Sequence, residues 1–409
     1  KLAETDIVWF YPSSMSEYRR GIFQATWEEL CGKYIRSNNP VRKMSESIAP
    51  FFYYKERAGT AAYDKPVACI DIGGGTTDIV IFRDNKPVHL TSFKYAANAI
   101  FGDGYGNSPR SNGFIAKYGP LLLKSLDNSS VKELGQVLRD LGKKHAKSTE
   151  MIEFFFSIEN NRKVKDNNVP ISFARDLSQD TNLKIVFLFF YGSIIYHLAS
   201  LMKTEGLEPP RFINFSGTGS KILNITDPAP GIRKLTDFTK MIFEEVYATA
   251  LTEPMEIKQF AEPKEITCKG GLLCGDYAGV DEIEEKIKTV LLGDNKQTIV
   301  PKSSVSYADL ENADLQLAVT TEVSGFIDRF FGWNEKFNFN SKFGINPSMF
   351  SKYKEWLKED MRQYLLAGIR EKMDDMQENA ASNIEETLFF YPLTGGLNKL
   401  AHNIQLHKD

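Results

Sequence analysis

Cysteine is scarce in this sequence, with four residues among 409, and no two of them have a Cys-x-x-Cys spacing. The four are Cys31, Cys69, Cys268 and Cys274, and most of them lie among apolar residues. Disulfide frameworks and structural zinc sites depend on regularly spaced cysteines, so the pattern argues against both. We therefore expect reduced thiols and a cytoplasmic protein.

A strong net charge is also missing, because 50 Lys and Arg residues nearly balance 53 Asp and Glu residues. A net charge of −3 gives the chain no overall attraction to nucleic acid or to an anionic membrane. Internal repeats and low-complexity tracts are absent as well. The length and the 42% hydrophobic content are instead typical of a globular protein with two or three domains.

The sequence begins with neither a Met nor a signal-peptide pattern, which leads us to expect a fragment of something longer. One segment, residues 185–202, is apolar enough to be compared with a membrane span. A helix that is hydrophobic on all sides is also typical of the core of a large α/β protein. A strand-like segment with its own glycine turn follows directly and favours the core interpretation, with His197 as a buried core residue.

The predicted elements before residue 100 follow the order strand, helix, strand, helix, hairpin, which is typical of a layered α/β domain. The first strand is TDIVWF at 5–10, and residues 41–54 predict a short strand and a helix. The apolar residues of the first helix recur at helical spacing: Phe23, Trp27, Leu30 and Tyr34.

Further along, residues 104–180 are mostly helical and are predicted to form a subdomain inserted before the apolar helix. Residues 211–223 (RFINFSGTGSKIL) predict a strand, a glycine turn and a helix. Residues 263–273 (PKEITCKGGLL) predict a further strand and turn.

In the last third, residues 281–293 predict a helix and residues 298–307 a strand and turn. Residues 347–379 predict one long charged amphipathic helix, which either packs on the globular body or binds a partner. Its apolar stripe consists of Phe350, Tyr353, Leu357, Met361, Tyr364 and Leu365.

The most informative stretch is VACIDIGGGTTDIVIF at 67–82, where two β-branched apolar runs flank a glycine-rich middle and predict a hairpin. Bare glycine backbone can converge on an anion, and Thr76 and Thr77 add hydroxyl donors. Asp71 beside a phosphate requires a cation, and Mg²⁺ is often held by one or two carboxylates. The glycines could also serve only a tight turn, but a two-residue turn does not need three glycines and two threonines.

DIGGGTTD, Asp71 to Asp78, resembles the second phosphate loop of the actin, Hsp70 and sugar-kinase superfamily, and is most similar to the Hsp70 and bacterial actin-like branches. The resemblance implies an α/β, actin-like (ribonuclease H-like) ATPase fold with two lobes. It implies ATP or ADP and Mg²⁺ as cofactors, with Asp71 as the metal-binding and catalytic carboxylate. Asp78 would brace the loop or hold an outer-shell water. The residues that would cradle the phosphates are Gly73, Gly74, Gly75, Thr76 and Thr77.

Two further stretches agree with this resemblance in order and spacing. SESIAPFFYY at 45–54 is similar to the connecting segment of the family, which implies that Glu46 orients the attacking water. INFSGTGSKIL at 213–223 is similar to the adenosine loop, in which Gly217 and Gly219 would let the chain lie against the base and ribose. The remaining residues of that loop in the implied site are Thr218, Ser220 and Lys221.

One part of the family pattern is missing, because the sequence contains no credible copy of the first phosphate hairpin. In family order that hairpin belongs upstream of Lys1. We therefore expect residues 1–66 to be the end of the first lobe and residues 67–280 to be the second lobe. Residues 281–409 are then an additional, mostly helical C-terminal region outside the common pattern.

The expected function is that of an ATP-binding, Hsp70-like or actin-like switch, with slow Mg²⁺-dependent hydrolysis if an upstream hairpin is present. A polymerising cytoskeletal protein and a non-catalytic scaffold remain alternatives, since fold does not settle function. A small-molecule kinase is the least favoured, because sugar-kinase phosphate loops lack the second Asp. As partners we expect nucleotide and either another protein or self-association, with no nucleic acid and no membrane span.

Overall fold

The structure is a computed structural model. It describes residues 4–12, 15, 17–36, 38–58, 65–102, 104–105, 112–143, 147–159, 161–226, 231–259, 265–274, 306–376 and 386–406. The predicted elements at 281–293 and 298–305 lie outside the described residues.

The first lobe, as far as it is described, is a pair of parallel strands with a helix against it. Strands β1 (Ile7–Tyr11) and β2 (Val41–Ser45) pair in parallel, with Ile7 opposite Val41. Helix α1 (Glu17–Leu30), which ends in a π-helical turn at Cys31–Ile35, covers one face. Helix α2 (Ala49–Ala58) follows β2. This is the predicted strand, helix, strand, helix order.

The second lobe is built on a five-stranded sheet, and its hairpin is the predicted one. The strands are β3 (Val67–Ile72), β4 (Thr77–Arg83), β5 (Lys86–Phe93), β6 (Phe212–Ser216) and β7 (Glu256–Gln259). Their order across the sheet is β5-β4-β3-β6-β7. Strand β4 runs antiparallel to β3 and β5, whereas β3, β6 and β7 are parallel. The mixed sheet and the helices packed on it confirm the predicted α/β fold class.

Between β5 and β6 the chain is helical, as predicted. The helices are α3 (Ala97–Ile100), α4 (Gly113–Asp127), α5 (Lys132–Lys143), α6 (Ser148–Glu159), α7 (Arg162–Asp166), α8 (Phe173–Gln179) and α9 (Thr181–Thr204). Helix α9 contains the apolar segment 185–202, and every residue of that segment is buried inside the protein, as predicted. Among the described helices, α9 alone is long and apolar enough to cross a membrane, which is weak evidence because core helices share these properties.

After β6 come a 3₁₀ helix (Thr218–Ile225), α10 (Gly231–Tyr247) and α11 (Glu265–Leu273). The predicted strand and turn at 263–273 is wrong, because the described part of that segment is helix α11. A β-carbon at Gly270 would collide with the Ala49 carbonyl group, and one at Gly271 would collide with the Phe10 ring. The two glycines therefore allow α11 to lie directly against α2 and β1, a tertiary requirement that resembles a turn signal in the sequence.

The described part of the C-terminal region, residues 306–376 and 386–406, is mostly helical, as predicted. Its elements are a 3₁₀ turn (Tyr307–Glu311), α12 (Ala313–Phe337), α13 (Phe339–Phe343), a 3₁₀ turn (Pro347–Met349), α14 (Phe350–Lys358), α15 (Met361–Met376) and α16 (Phe390–Leu406). The single helix predicted at 347–379 is wrong. It is interrupted between α14 and α15, where Glu359 is extended and Asp360 has φ of 62°, a left-handed value that a helix cannot contain.

The C-terminal helices share one hydrophobic core with the second lobe. Phe189 of α9 packs against Phe326 and Phe330 of α12, and Tyr196 of α9 packs against Phe389. Phe390, at the start of α16, stacks on Phe93 of β5. Helix α9 is thus enclosed between the sheet and the C-terminal helices, which explains its apolar residues on every side.

Candidate functional site

The hairpin turn between β3 and β4 forms the centre of the candidate site. In the register of the two strands Asp71 lies opposite Asp78, and Ile72 lies opposite Thr77. The turn is closed by the Gly73 N–H, which donates to the carbonyl oxygen of Thr76 at 2.9 Å. We call residues 71–78 the Asp71 loop.

Helix α3 holds the Asp71 loop from behind. The backbone N–H groups of Ala97 and Asn98 donate to the carbonyl oxygens of Gly73 and Gly74 at 3.3 and 3.1 Å. Gly74 and Gly75 are exposed, and a β-carbon at Gly75 would meet open space. Within the described residues, the N–H groups of these two glycines donate to no backbone carbonyl oxygen. The turn therefore presents accessible backbone donors of the kind that bind anions.

The two threonines of the loop differ. Thr76 is half-buried beside the glycines. Thr77 is fully buried, and its hydroxyl donates to the carbonyl oxygen of Tyr95 at 2.7 Å. The expectation that the Thr77 hydroxyl faces a phosphate is therefore corrected: it fastens β4 to the segment that precedes α3.

A second glycine turn lies directly on the first. Residues 216–221, which we call the Gly217 loop, follow β6, which is paired in parallel with β3. Gly217 has φ of 78°, and a β-carbon there would collide with the Ile72 carbonyl oxygen and with Asp71 Oδ1. A β-carbon at Gly219 would collide with the Gly73 carbonyl oxygen. Both positions must therefore be glycine for the two loops to lie in contact. The sequence alone did not reveal this reason for the two glycines.

Of the remaining residues of the Gly217 loop, one stabilises its conformation and two are exposed on its surface. Ser220 is buried, and its hydroxyl donates to the Gly217 carbonyl oxygen at 2.8 Å. The Gln259 side chain of β7 donates to the Ser220 carbonyl oxygen at 2.7 Å. Thr218 and Lys221 are exposed. Ser220 therefore shapes the loop, and Thr218 and Lys221 are its accessible side chains.

Asp71 is held by Ser216, whose hydroxyl donates to Asp71 Oδ2 at 2.8 Å. Burial raises the pKa of Asp71 to about 6, the Ser216 hydrogen bond opposes the rise, and the negative charge of Glu46 adds to it. Sequence reasoning missed Ser216, although it stands immediately before Gly217. Paired strands carry it to Asp71, since the two residues are directly opposite each other.

Asp78 lies beneath the loop with 3% of its surface exposed. Burial raises its pKa to about 7; the hydroxyl of Ser92 lowers it, and the charges of Asp71 and Glu46 raise it further. Its Oδ1 atom is buried and has no hydrogen-bond partner among the described residues. A buried carboxylate oxygen without a donor is costly, and the position suits a proton, a water or a cation.

Glu46 reaches this group from the first lobe. It lies in the turn between β2 and α2, where its N–H donates to the Tyr11 carbonyl oxygen at 3.0 Å. Burial raises the pKa of its carboxyl group. The structure therefore brings Glu46 within electrostatic range of both aspartates, while Tyr54 of α2 donates to the Phe215 carbonyl oxygen and joins the lobes.

The carboxylates around the Asp71 loop are compatible with Mg²⁺. Among the described residues, no group of three or more His, Cys, Asp or Glu side chains is arranged to hold a metal ion. Mg²⁺ usually keeps several waters and takes only one or two carboxylates plus substrate phosphates, so Asp71 alone satisfies that requirement. The unpartnered oxygen of Asp78 and the raised pKa values of both aspartates fit a site that a cation would stabilise.

No family model and no curated protein matches the chain. Among solved structures, it is similar to MreB 5 of Spiroplasma citri bound to AMPPNP, with 14% identity over 70% of this chain and 72% of that chain and a TM-score of 0.29. It is also similar to MreB5 of Spiroplasma citri bound to ADP, with 13% identity over 68% of this chain and 70% of that chain and a TM-score of 0.28. A third similar structure is a pCBH ParM non-polymerisable quadruple mutant, with 14% identity over 66% of this chain and 67% of that chain and a TM-score of 0.31.

Proposed function

We propose that this chain binds ATP or ADP with Mg²⁺ where the Asp71 loop and the Gly217 loop meet. The observation that carries the proposal is the direct contact between the two loops, made by Gly217 and Gly219, beside the exposed backbone of Gly74 and Gly75. Both loops follow the carboxyl ends of the neighbouring parallel strands β3 and β6, the edge at which open α/β sheets bind ligands.

In this proposal the N–H groups of Gly74, Gly75 and Thr76 bind the terminal phosphates, and Asp71 is the carboxylate that holds the Mg²⁺ ion. When bound, the ion neutralises phosphate charge. Asp78 lies behind the loop and holds a water or a proton through its unpartnered oxygen. The exposed Thr218 and Lys221 face the adenosine moiety, and Glu46 orients a water from the first lobe. Nucleotide binding would then favour closure of the two lobes by hinge motion.

Hydrolysis is a separate step of the proposal. Charge that develops on a transferred phosphoryl group needs preorganised donors on several sides, and loss of one such donor commonly lowers the rate by about 10²- to 10³-fold. If a first phosphate hairpin is present upstream, we propose that it supplies the second set of donors, and that hydrolysis is then slow and acts as a switch. On this proposal the protein is cytoplasmic and acts on a protein partner or on further copies of itself.

Binding is tested by titration calorimetry and thermal shift with millimolar Mg-ATP and Mg-ADP, since a ligand selective for the native state raises Tm. Gly75→Val is the sharpest variant, because a side chain there meets open space in the protein and blocks only the ligand. We expect it to abolish binding at an unchanged Tm of the free protein. Gly142→Ala, another glycine with open space around it, is the control. Absence of heat and of a Tm shift in the unsubstituted chain would refute nucleotide binding.

Hydrolysis is tested by comparing this 409-residue chain with a version extended upstream. We expect negligible phosphate release from the short chain and slow release from the extended one, lost on Asp71→Asn. That substitution keeps the size of the side chain and removes the charge that holds the cation. If the extended chain binds nucleotide without releasing phosphate, the scaffold alternative is favoured. Light scattering after addition of ATP separates a filament-forming protein from a monomeric switch.

A further inference from the structure

Residues 93–98, which we call the β5–α3 segment, hold the end of the Asp71 loop at which β4 begins. Thr77 lies opposite Phe93 in the register of β4 and β5. The Thr77 hydroxyl also donates to the Tyr95 carbonyl oxygen at 2.7 Å. The segment therefore fixes Thr77 through both its backbone and its side chain.

The same segment sets the direction in which the glycine N–H groups of the loop point. The carbonyl oxygens of Gly73 and Gly74 accept hydrogen bonds from the first two residues of α3. Every peptide bond among the described residues is trans, and the C=O and N–H groups of a planar trans peptide point in opposite directions. Because these two carbonyl groups point towards α3, the N–H groups of Gly74 and Gly75 point away from it. The orientation of the two donors thus depends on the position of α3.

Phe390, at the start of α16, covers this segment from the C-terminal region. Its ring is fully buried and stacks on the rings of Phe93 and Tyr95, with centroids 3.8 and 5.0 Å away. One turn further along α16, the Thr394 hydroxyl donates to the Phe390 carbonyl oxygen at 2.9 Å and lies 3.4 Å from the Lys94 carbonyl oxygen. The start of α16 therefore lies against three consecutive residues of the β5–α3 segment.

A buried ring stabilises a core wherever it lies, so burial by itself does not distinguish Phe390. The difference lies in its two ring partners, since Phe93 is paired with Thr77 and Tyr95 accepts the Thr77 hydrogen bond. A shift of either partner is passed directly to the end of the Asp71 loop. Phe330 of α12 is equally buried, but its ring contacts are with α9, α12 and α13.

We propose that Phe390 is a positioning residue of the proposed nucleotide site. It holds the β5–α3 segment, and through it the Asp71 loop, in the conformation that presents the N–H groups of Gly74 and Gly75 to the phosphates. The inference rests on the function proposed above. Apparent affinity falls with the fraction of molecules that have the binding-competent conformation. Because such coupling is reciprocal, bound nucleotide stabilises the packing of α16 on the segment in return.

The first experiment needs no nucleotide. Hydrogen exchange followed by mass spectrometry compares the ligand-free 409-residue chain with Phe390→Leu and with Phe330→Leu as the matched control. Both substitutions remove a buried ring and lower Tm. We expect exchange in residues 71–78 and 95–100 to be faster in Phe390→Leu than in Phe330→Leu, because only the former loosens the attachment of the loop. Equal exchange of these residues in the two variants would overturn the proposal.

The second experiment measures Mg-ADP binding by calorimetry. If Phe390→Leu leaves the loop competent in about one molecule in five, affinity falls about fivefold, whereas we expect less than about a twofold change in Phe330→Leu. Phe390→Met keeps an apolar side chain without the flat ring and replaces the leucine variant if that variant does not fold. Mg-ADP should also slow exchange in residues 388–398 of the unsubstituted chain.

The outcomes separate this inference from the proposed function. Equal affinity of the Phe390 and Phe330 variants would overturn the positioning role and leave nucleotide binding in place. If the unsubstituted chain binds no nucleotide, the proposed function fails. The exchange experiment on the ligand-free protein then still decides whether Phe390 holds the loop.

Discussion

Each lobe contains a strand, a helix and a second, parallel strand in succession. The two lobes bury this unit to very different extents. In the second lobe β6 has a parallel partner on each side, and helix α9, which leads into it, is buried along its whole apolar segment. In the first lobe β1 pairs with β2 alone among the described strands. The helix that follows β1 leaves large apolar side chains exposed by 39 to 69%: Ile22, Phe23, Trp27, Leu30 and Tyr34.

The contacts of α1 show on which side its apolar surface is uncovered. Gln24 donates to the Val41 carbonyl oxygen at 3.3 Å, so this side of the helix faces β2. Phe23 and Trp27 stack on Trp9 of β1 at centroid distances of 6.4 and 6.5 Å, yet they remain 48% and 39% exposed. An amphipathic pattern thus predicts that a helix has an apolar face but not whether the described chain covers that face.

The largest expected effect tests burial directly. Phe190→Ala in α9 removes a fully buried ring that packs on Tyr95, and we expect the free energy of unfolding to fall by about 3 to 5 kcal/mol. Phe23→Ala in α1 removes a ring that is 48% exposed and should cost less than about 1 kcal/mol. Urea denaturation followed by circular dichroism measures both. Similar costs for the two would mean that the face of α1 is covered in solution.

The next prediction concerns the tight packing of the second lobe. Gly217→Ala places a β-carbon against Ile72 and Asp71 at a positive φ, and we expect a loss of at least about 2 kcal/mol. Gly75→Ala, in the same pair of loops but with open space and no positive φ, should stay within about 0.5 kcal/mol of the unsubstituted protein. Thermal unfolding without ligand is the measurement. A tolerated Gly217→Ala would show that the loops separate easily.

An effect of similar size depends on pH and on a charge from the first lobe. The pKa of Asp78 is raised in the folded state to about 7, so its stabilising contribution is present below its unfolded pKa and is lost as pH rises towards 7. Between pH 5 and 8 we expect the ligand-free protein to lose about 2 to 3 kcal/mol through this group. His197 acts in the opposite direction. Burial lowers its pKa to about 3, so its contribution to stability is present above the ordinary pKa of histidine and is lost as pH falls.

Two variants separate the contribution of the Asp78 carboxyl group from that of the Glu46 charge. Asp78→Asn should remove most of the loss between pH 5 and 8, and Glu46→Gln should reduce it only partly, because burial is the larger cause and Glu46 a lesser one. Tm measured across this pH range is the readout. If Glu46→Gln has no effect at any pH, the first lobe does not act on the aspartates in solution.

The smallest expected effect on stability is at the exposed face of α1. Ile22→Gln and Leu30→Gln should each change the free energy of unfolding by less than about 0.5 kcal/mol while reducing binding of an apolar fluorescent dye and self-association at high concentration. Leu317→Gln on α12, where a single leucine is 65% exposed, is the matched control and should leave dye binding unchanged. Sedimentation velocity gives the association state. Unchanged dye binding in the α1 variants would mean that this face is not accessible.

Elements whose signals are local can be predicted from the amino-acid sequence alone. The alternation of apolar runs and glycines in 67–82 predicts the hairpin because turn and strand preferences act within a few residues. The uniformly apolar segment 185–202 predicts a buried helix because no face of it suits water. The segment from Asp71 to Asp78, which resembles a phosphate loop, lies at the edge of the sheet where both glycine loops meet.

Only the tertiary structure decided what each glycine and polar residue of these motifs contacts. Gly217 and Gly219 are required by the Asp71 loop more than 140 positions earlier in the chain, Ser216 binds Asp71 across paired strands, and Thr77 is buried beneath Tyr95. Gly270 and Gly271, which resembled a turn, allow a helix to approach Ala49 and Phe10. These contacts join residues far apart in the chain, and local sequence preferences carry no information about which distant backbone will lie within van der Waals distance.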